Sequence, residues 1–281
     1  MMKSDQILLI SCPANGGLLY MDHKENIHII DNHPSNGICY DSDMLVRVMQ
    51  NEHMMHFQVY HRSGEMQTIL GIEIRDVHDV MLRDQILYAV STGTNEIVTM
   101  SPTTGEIIRR LKYPGEDDSW HVNCLGVWDD QIVATAFGDY QHYREYSSNI
   151  HNRGFVMNIH HMTKLWEGLN APHNPKQDEG RYYVCDSYSS QLIVHDVNGT
   201  RILPFEGFTR GLCFSKKHIF LGVSYDRHSL EKEGTASIKI MDKQSLTLVK
   251  EIPLPCLEIY EMMIVDKKWL RKLYLRATSE K

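Results

Sequence analysis

Six polar residues, Asn36, His78, Asn123, His173, Arg210 and Tyr260, stand at equivalent places before apolar runs, separated by 42, 45, 50, 37 and 50 residues in a chain of 281. His78, His121 and His173 supply three imidazoles and Glu258 a carboxylate. That set could hold a divalent transition metal with one position open for water or substrate. Without a metal, His121 or His173 could act as general base and Tyr260 could donate a proton. The alternative is a polar plug, in which the histidines hydrogen-bond to one another or to backbone. Arg210 is the strong cation of the series, and a guanidinium suits bidentate recognition of carboxylate or phosphate. Its alternative is an ion pair with Glu258 or Glu261, since a buried cation needs a partner.

Two residues before each of these positions stand Pro34, Asp76, His121, Ala171, Phe208 and Glu258. Residues i and i+2 of a strand share a side, so Asp76, His121 and Glu258 form a second tier above the first. Asn36, Asp76, Asn123 and Arg210 are thus ligand-binding candidates. Residues 139–153 interrupt the pattern with a stretch rich in Tyr, His, Arg and Asn, and a second long connection spans 225–235. Tyr143 and Arg144 belong to the first, whose aromatic and cationic side chains suit stacking on a sugar or planar ligand. A mobile surface loop is the other reading of a connection this long.

The elements that must position these groups are clearest at 119–138. A polar mouth (Trp120, His121, Asn123) leads into an apolar strand at 125–127, an Asp129-Asp130 turn, and a second strand at 132–136. β-branched residues suit such half-buried pleats. The same pattern overlays five other places, and self-similarity at this period marks propeller blades or solenoid turns. Strands at 7–11, 18–22 and 26–31 make an incomplete blade, which the orphan sixth copy at 258–265 completes. The reading is all-β: a six-bladed β-propeller in one domain, 1–281, with the N- and C-terminal segments sharing the closing blade. Closure removes an exposed sheet edge. Full blades are expected at about 36–71, 75–113, 119–169, 171–206 and 208–255, with Asn198-Gly199 forming a type I′ hairpin turn. In this architecture the six mouths converge at one end of a central channel.

Lys and Arg total 29 against 36 Asp and Glu, a formal net charge of -7. Nucleic acid is therefore disfavoured as a partner. The apolar run at 7–10 is far below the roughly 18 residues of a membrane helix, so no transmembrane segment is expected. The six dispersed cysteines read as buried thiols of a cytoplasmic protein. The tail, 266–281, reads as a terminal helix. It is either an amphipathic segment for a membrane or partner surface, or an element packed on the propeller.

The run 120–126, then Ala171-Pro172-His173-Asn174-Pro175 with Tyr183-Val184-Cys185-Asp186-Ser187, then Gly207-Phe208-Thr209-Arg210-Gly211-Leu212, resembles an uncharacterised bacterial family of six-bladed propeller-like proteins. Its members often carry His-Ser-Pro where this chain has His173-Asn174-Pro175, and many are encoded near glycosyltransferases. The architecture is more distantly similar to lactonase, strictosidine-synthase and streptogramin-lyase propellers, which place their sites at the channel mouth. The resemblance implies a fold. With the residues above, the expectation is a channel mouth that binds a polar or anionic small molecule, such as a sugar derivative or carboxylate, with metal-assisted lyase, hydrolase or isomerase chemistry. The alternative is a non-catalytic scaffold that binds carbohydrate or protein.

Overall fold

A computed structural model describes residues 2–13, 16–50, 55–71, 73–225 and 234–277. Its strands, in chain order, are β1 (Gln6–Cys12), β2 (Gly17–Met21), β3 (Ile27–Asp31), β4 (Ser35–Tyr40), β5 (Met44–Gln50), β6 (Met55–His61), β7 (Met66–Leu70), β8 (Val77–Arg83), β9 (Ile86–Ser91), β10 (Glu96–Met100), β11 (Ile107–Lys112) and β12 (Leu125–Trp128). There follow β13 (Gln131–Ala136), β14 (Gly154–Asn158), β15 (Lys164–Leu169), β16 (Pro172–Asp178), β17 (Arg181–Asp186), β18 (Gln191–Asp196), β19 (Gly199–Pro204), β20 (Phe208–Phe214), β21 (His218–Ser224), β22 (Ser237–Asp242), β23 (Leu248–Pro253) and β24 (Glu261–Asp266), and a helix α1 (Trp269–Ala277). They make six four-stranded antiparallel sheets, the blades of a six-bladed β-propeller.

Contacts divide the chain into two compact units, 1–69 with 210–281, and 70–209. The first holds blade one (β4–β7), blade five (β20–β23) and the closing blade, ordered β24-β1-β2-β3. The expected sharing of that blade by both ends is formed, with Gln6 opposite Asp266 and Ser11 opposite Glu261. The last strand starts at Glu261 rather than at 258, because Glu258, Ile259 and Tyr260 are non-strand residues of its mouth. Leu8, Ile10, Leu19, Ile238, Ile240 and Met262 belong to one core cluster, and Ile7, Leu9, Leu18, Leu45 and Val265 to another. Trp269, Leu270 and Leu273 of α1 are buried in that second cluster, so the packed-tail alternative is the one formed. No helix of the described residues is long and apolar enough to cross a membrane.

The second unit holds blade two (β8–β11), blade three (β12–β15) and blade four (β16–β19). Val90, Ile97, Trp120, Leu125 and Phe155 share one core cluster; Trp128, Val133, Val156, Val184 and Ile193 share another. Gly126 is needed where β12 meets Pro175 of β16, since an added Cβ would lie 1.7 Å from the Pro175 carbonyl oxygen. The fourth strands are half exposed and charged, with Arg109, Arg110 and Lys112 on β11. Such a polar rim blunts the outer edge. The two-residue loops at Asp84-Gln85, Asp129-Asp130 and Glu179-Gly180 take positive φ at both residues, the type I′ geometry that matches strand twist. The expected type I′ turn at Asn198-Gly199 is not formed. The central residues there are Val197 and Asn198, at negative φ, while Gly199 takes φ 112° and opens β19.

All six cysteines are free thiols, five buried and Cys213 half-buried, as their dispersal suggested. Residues 226–233 of the second long connection lie outside the described residues, as do Ala14 and Asn15 of the first turn.

Candidate functional site

Asp76, His121 and Ala171, two residues before His78, Asn123 and His173, take φ of 50°, 48° and 48°. Left-handed backbone at non-glycine residues is sparsely populated and costs about 1–3 kcal/mol each. Its recurrence at one register position in three consecutive blades shows that the sequence alignment of these mouths is also a structural one. Just beyond, the β8–β9 pairing shifts register between Val77 and Val80, and the β16–β17 pairing between His173 and Lys176. Such bulges re-aim side chains, and here they do so at the mouths.

The densest polar group is at blades two and three. His121 Nδ1 lies 2.8 Å from Asp118 Oδ1, and the Tyr146 hydroxyl donates to Asp118 Oδ2 at 3.0 Å. Arg144 Nε is 3.5 Å from that second oxygen. Burial lowers the His121 pKa to about 4, outweighing the opposing pull of Asp118. The ring is therefore neutral at pH 7. Its Nδ1–H donates to Asp118, which leaves Nε2 as the lone-pair nitrogen. Burial foremost, and then Asp118, push the Tyr146 hydroxyl up, so it stays protonated and can donate. The His78 ring meets His121 edge-on at 4.9 Å, and His78 Nε2 is 3.3 Å from Asp76 Oδ1. Burial would raise the Asp76 carboxyl, but the His78 hydrogen bond and charge, with His121 and Arg144, hold it at about 2.

From His121 a row of rings continues through Phe137 at 4.3 Å, His173 at 5.5 Å from Phe137, and Phe208 at 5.5 Å from His173. His173 is 1% exposed, and its Nδ1 lies 3.0 Å from the Ala171 carbonyl and 2.8 Å from Ser187 Oγ. That is the backbone-bonded arrangement of the plug alternative. Asn123 is buried; it accepts from Thr135 Oγ1 at 2.7 Å and donates to the His121 carbonyl at 3.2 Å. It therefore braces the loop that carries His121. In the 139–153 insertion, Tyr140 and Tyr146 are packed with Phe137 and Ala171, whereas Tyr143 is 61% exposed and Arg144 is also open to solvent. The base of the loop is clamped and its Tyr143-Arg144 tip is presented.

In the first unit, Asn36, Arg210, Glu258 and Tyr260 are all buried. Of the two roles expected for Arg210, the ion pair is formed: Nη1 is 3.4 Å from Glu258 Oε1, and the guanidinium sits 3.4 Å over the Tyr260 ring. Glu261 accepts from the Met262 amide. Of the four residues expected around a metal, His78, His121 and His173 fall in unit 70–209 and Glu258 in the other. Among the described residues, no group of three or more His, Cys, Asp or Glu side chains is arranged to hold a metal ion.

Sequence reasoning placed Tyr146 in the lid rather than at its buried base, and missed Asp118, Phe137 and, in the first unit, Arg47. The Arg47 side chain is fully buried, bonded to both Asp31 oxygens at 2.6 Å, to Ser35 Oγ at 2.6 Å and to the His33 carbonyl at 2.8 Å. A lone arginine inside the apolar run of β5 was its signal; for Asp118 it was the three-residue spacing to His121.

A family model described as "Domain of unknown function (DUF4915)" matches residues 47–268. Among solved structures, a chain of a nidogen/laminin complex is similar over 93% of this chain and 99% of its own, at TM-score 0.69 and 11% identity. A protein of unknown function from Bacteroides caccae covers the same shares at TM-score 0.66 and 10% identity. Likeness at that identity carries the fold alone. No curated protein matches the chain.

Proposed function

We propose, for a chain that belongs to the DUF4915 family of domains of unknown function, that the mouths of blades two and three bind a polar small molecule and exchange a proton with it through His121. The ligand class is a sugar derivative or carboxylate. The observation that carries this reading is the Tyr146–Asp118–His121 chain: a buried carboxylate fixes a neutral imidazole in one tautomer, beside a second imidazole–carboxylate pair. A ring held in this way has its lone pair free at neutral pH, and Asp118 offsets part of the burial that disfavours its conjugate acid. Tyr143 and Arg144 supply a stacking surface and a cation for the ligand's outer face. The reaction class that fits is proton abstraction, as in a lyase or isomerase, or activation of water, as in a hydrolase.

The test is a heat-shift screen of neutral sugars, uronates and sugar phosphates, followed by His121→Asn and Asp118→Asn. Asparagine tolerates the left-handed backbone at 121. The expected result is a ligand that raises the melting temperature of the parent and no longer does so in His121→Asn, which itself folds. Equal ligand binding by parent and variant would overturn the reading in favour of a scaffold.

A second reading has one observation in its favour. Both His78 and His121 carry a carboxylate on one ring nitrogen, the outer-shell arrangement that orients metal-ligating imidazoles. A divalent transition metal on His78, His121 and His173, all of unit 70–209, would then supply Lewis-acid chemistry. Metal analysis of protein purified without a His-tag, with melting curves before and after chelation, decides it. A bound ion at about 100 times its dissociation constant contributes roughly 2.7 kcal/mol.

A further inference from the structure

At the far end of β12 from the mouth, blades three and four enclose a cleft of about 420 Å³ lined by Trp128, Asp129, Leu165, Trp166, Tyr182 and His195, with Gln131 and Thr200. Four of these side chains form a closed circuit of rings. Trp128 and Trp166 are 6.1 Å apart, Trp166 and His195 5.8 Å, His195 and Tyr182 6.5 Å, and Tyr182 and Trp128 5.1 Å. Successive planes are inclined by 34° to 68° rather than stacked. The circuit is set by register: Tyr182 and His195 are cross-strand partners, and Trp128 directly precedes the Asp129-Asp130 turn.

Core packing explains part of this. Trp128, 6% exposed, caps the cluster of Val133, Val156, Val184 and Ile193. Trp166 and Tyr182 also pack against that cluster, yet both stay half-buried, with Leu165 46% exposed, around an open cleft that core packing alone does not require. Nor does it explain the carboxylate at the rim. The Tyr182 hydroxyl donates to Asp129 Oδ2 at 2.5 Å, and Gln177 donates to Oδ1 at 2.7 Å. The lining contains no lysine or arginine.

We propose that this cleft is a second binding site, for a quaternary ammonium group such as a choline headgroup. Aromatic faces attract a cation within about 6 Å of their centroids, and inclined rings surround a rounded onium group, whereas a flat sugar needs a platform. Asp129 adds the opposite charge at the opening, and the Tyr182 and Gln177 hydrogen bonds hold its carboxyl below the ordinary range, ionised at neutral pH. A net charge of -7 favours the approach of a cation.

Choline titrated against the full chain, read by tryptophan fluorescence and calorimetry, tests it. 3,3-Dimethyl-1-butanol, choline's uncharged isostere, and a methyl glucoside are the controls. Saturable choline binding, about tenfold or more tighter than the isostere, lost in Trp166→Leu and weakened in Asp129→Asn, is the expected result. Circular dichroism confirms that each variant folds, and Asp129→Asn, at an exposed turn, serves if Trp166→Leu does not. Phosphatidylcholine vesicles, tested by flotation, distinguish a lipid headgroup from free choline as the source. Absence of choline binding, equal binding of the isostere, or binding of the glucoside alone would overturn the proposal. His121→Asn should leave choline binding unchanged, so failure here is separable from failure at the mouth.

Discussion

His121 occupies left-handed backbone, is almost fully enclosed, and keeps a neutral ring that titrates near 4 instead of 6.5. Between those two values the unfolded chain binds more protons than the folded one. Stability is therefore complete above about pH 6.5 and falls as the solution is acidified towards pH 4, by about 3 kcal/mol for this one ring. His121→Asn removes the titrating group without disturbing φ, so its melting temperature should decline less than the parent's between pH 7 and 4.5. Parallel curves for the two proteins would show that the ring is protonated in the fold. Arg210 calls for the opposite treatment. Its partner Glu258 and the Tyr260 face are already in place, so Arg210→Ala should take the guanidinium away from a buried carboxylate and cost about 3 kcal/mol. The double variant Arg210→Met, Glu258→Leu should regain most of that loss in a denaturant titration. A fully stable Arg210→Ala would return Arg210 to the role of an anion receptor.

At the element scale, a hydroxyl at or just after the end of a second strand recurs as a donor to the backbone of the mouth that follows it in the chain. Thr92 Oγ1 donates to the Val122 carbonyl at 2.6 Å, Ser187 Oγ to Thr209 at 2.6 Å, and Ser224 Oγ to Ile259 at 3.4 Å. The three acceptors stand one residue before Asn123, Arg210 and Tyr260, so the turn after each second strand pins the next mouth. Thr92→Val keeps the shape and strands a buried carbonyl, for which about 1–3 kcal/mol is the expected loss by chemical denaturation. An unchanged midpoint would mean that water replaces the hydroxyl. The repeat behind these bonds was legible in the sequence because blade strands alternate with a period of two and their mouths align. The turn at 197–200 was misread because Asn-Gly chemistry ranks below strand register, which placed Val197 and Asn198 at the bend. Asp118 escaped notice because it lies outside the repeat, and its pairing with Tyr146 depends on how the insertion folds back. The ring circuit of Trp128, Trp166, Tyr182 and His195 was invisible for a related reason: it joins residues from four strands whose sequence spacing follows no motif.

For the molecule as a whole, the closing blade joins residues 250 positions apart, as in the Glu261 amide donating to Ser11 Oγ at 3.1 Å. Ile7, Leu8, Leu9 and Ile10 of β1 are all fully buried, and β24 covers one edge of that strand. Without β24 the strand would present an open, apolar row of backbone donors and acceptors, the kind of edge that pairs with another chain. Deletion of 258–281 would also remove Val265, Trp269, Leu270 and Leu273 from the cluster that contains Ile7, Leu9, Leu18 and Tyr60. Large-to-small losses at such sites cost about 2–5 kcal/mol each, and native domains hold only about 5–15 kcal/mol in total. The truncated chain should therefore aggregate on expression. Supplied in trans, a peptide of residues 258–281 should restore solubility, because the missing strand is bound by backbone pairing and side-chain burial rather than by covalent continuity. Light scattering and soluble yield report both outcomes. A soluble, monomeric truncation with the parent's melting temperature would show that closure by the C-terminal strand is dispensable, and that the first unit draws its stability from blades one and five.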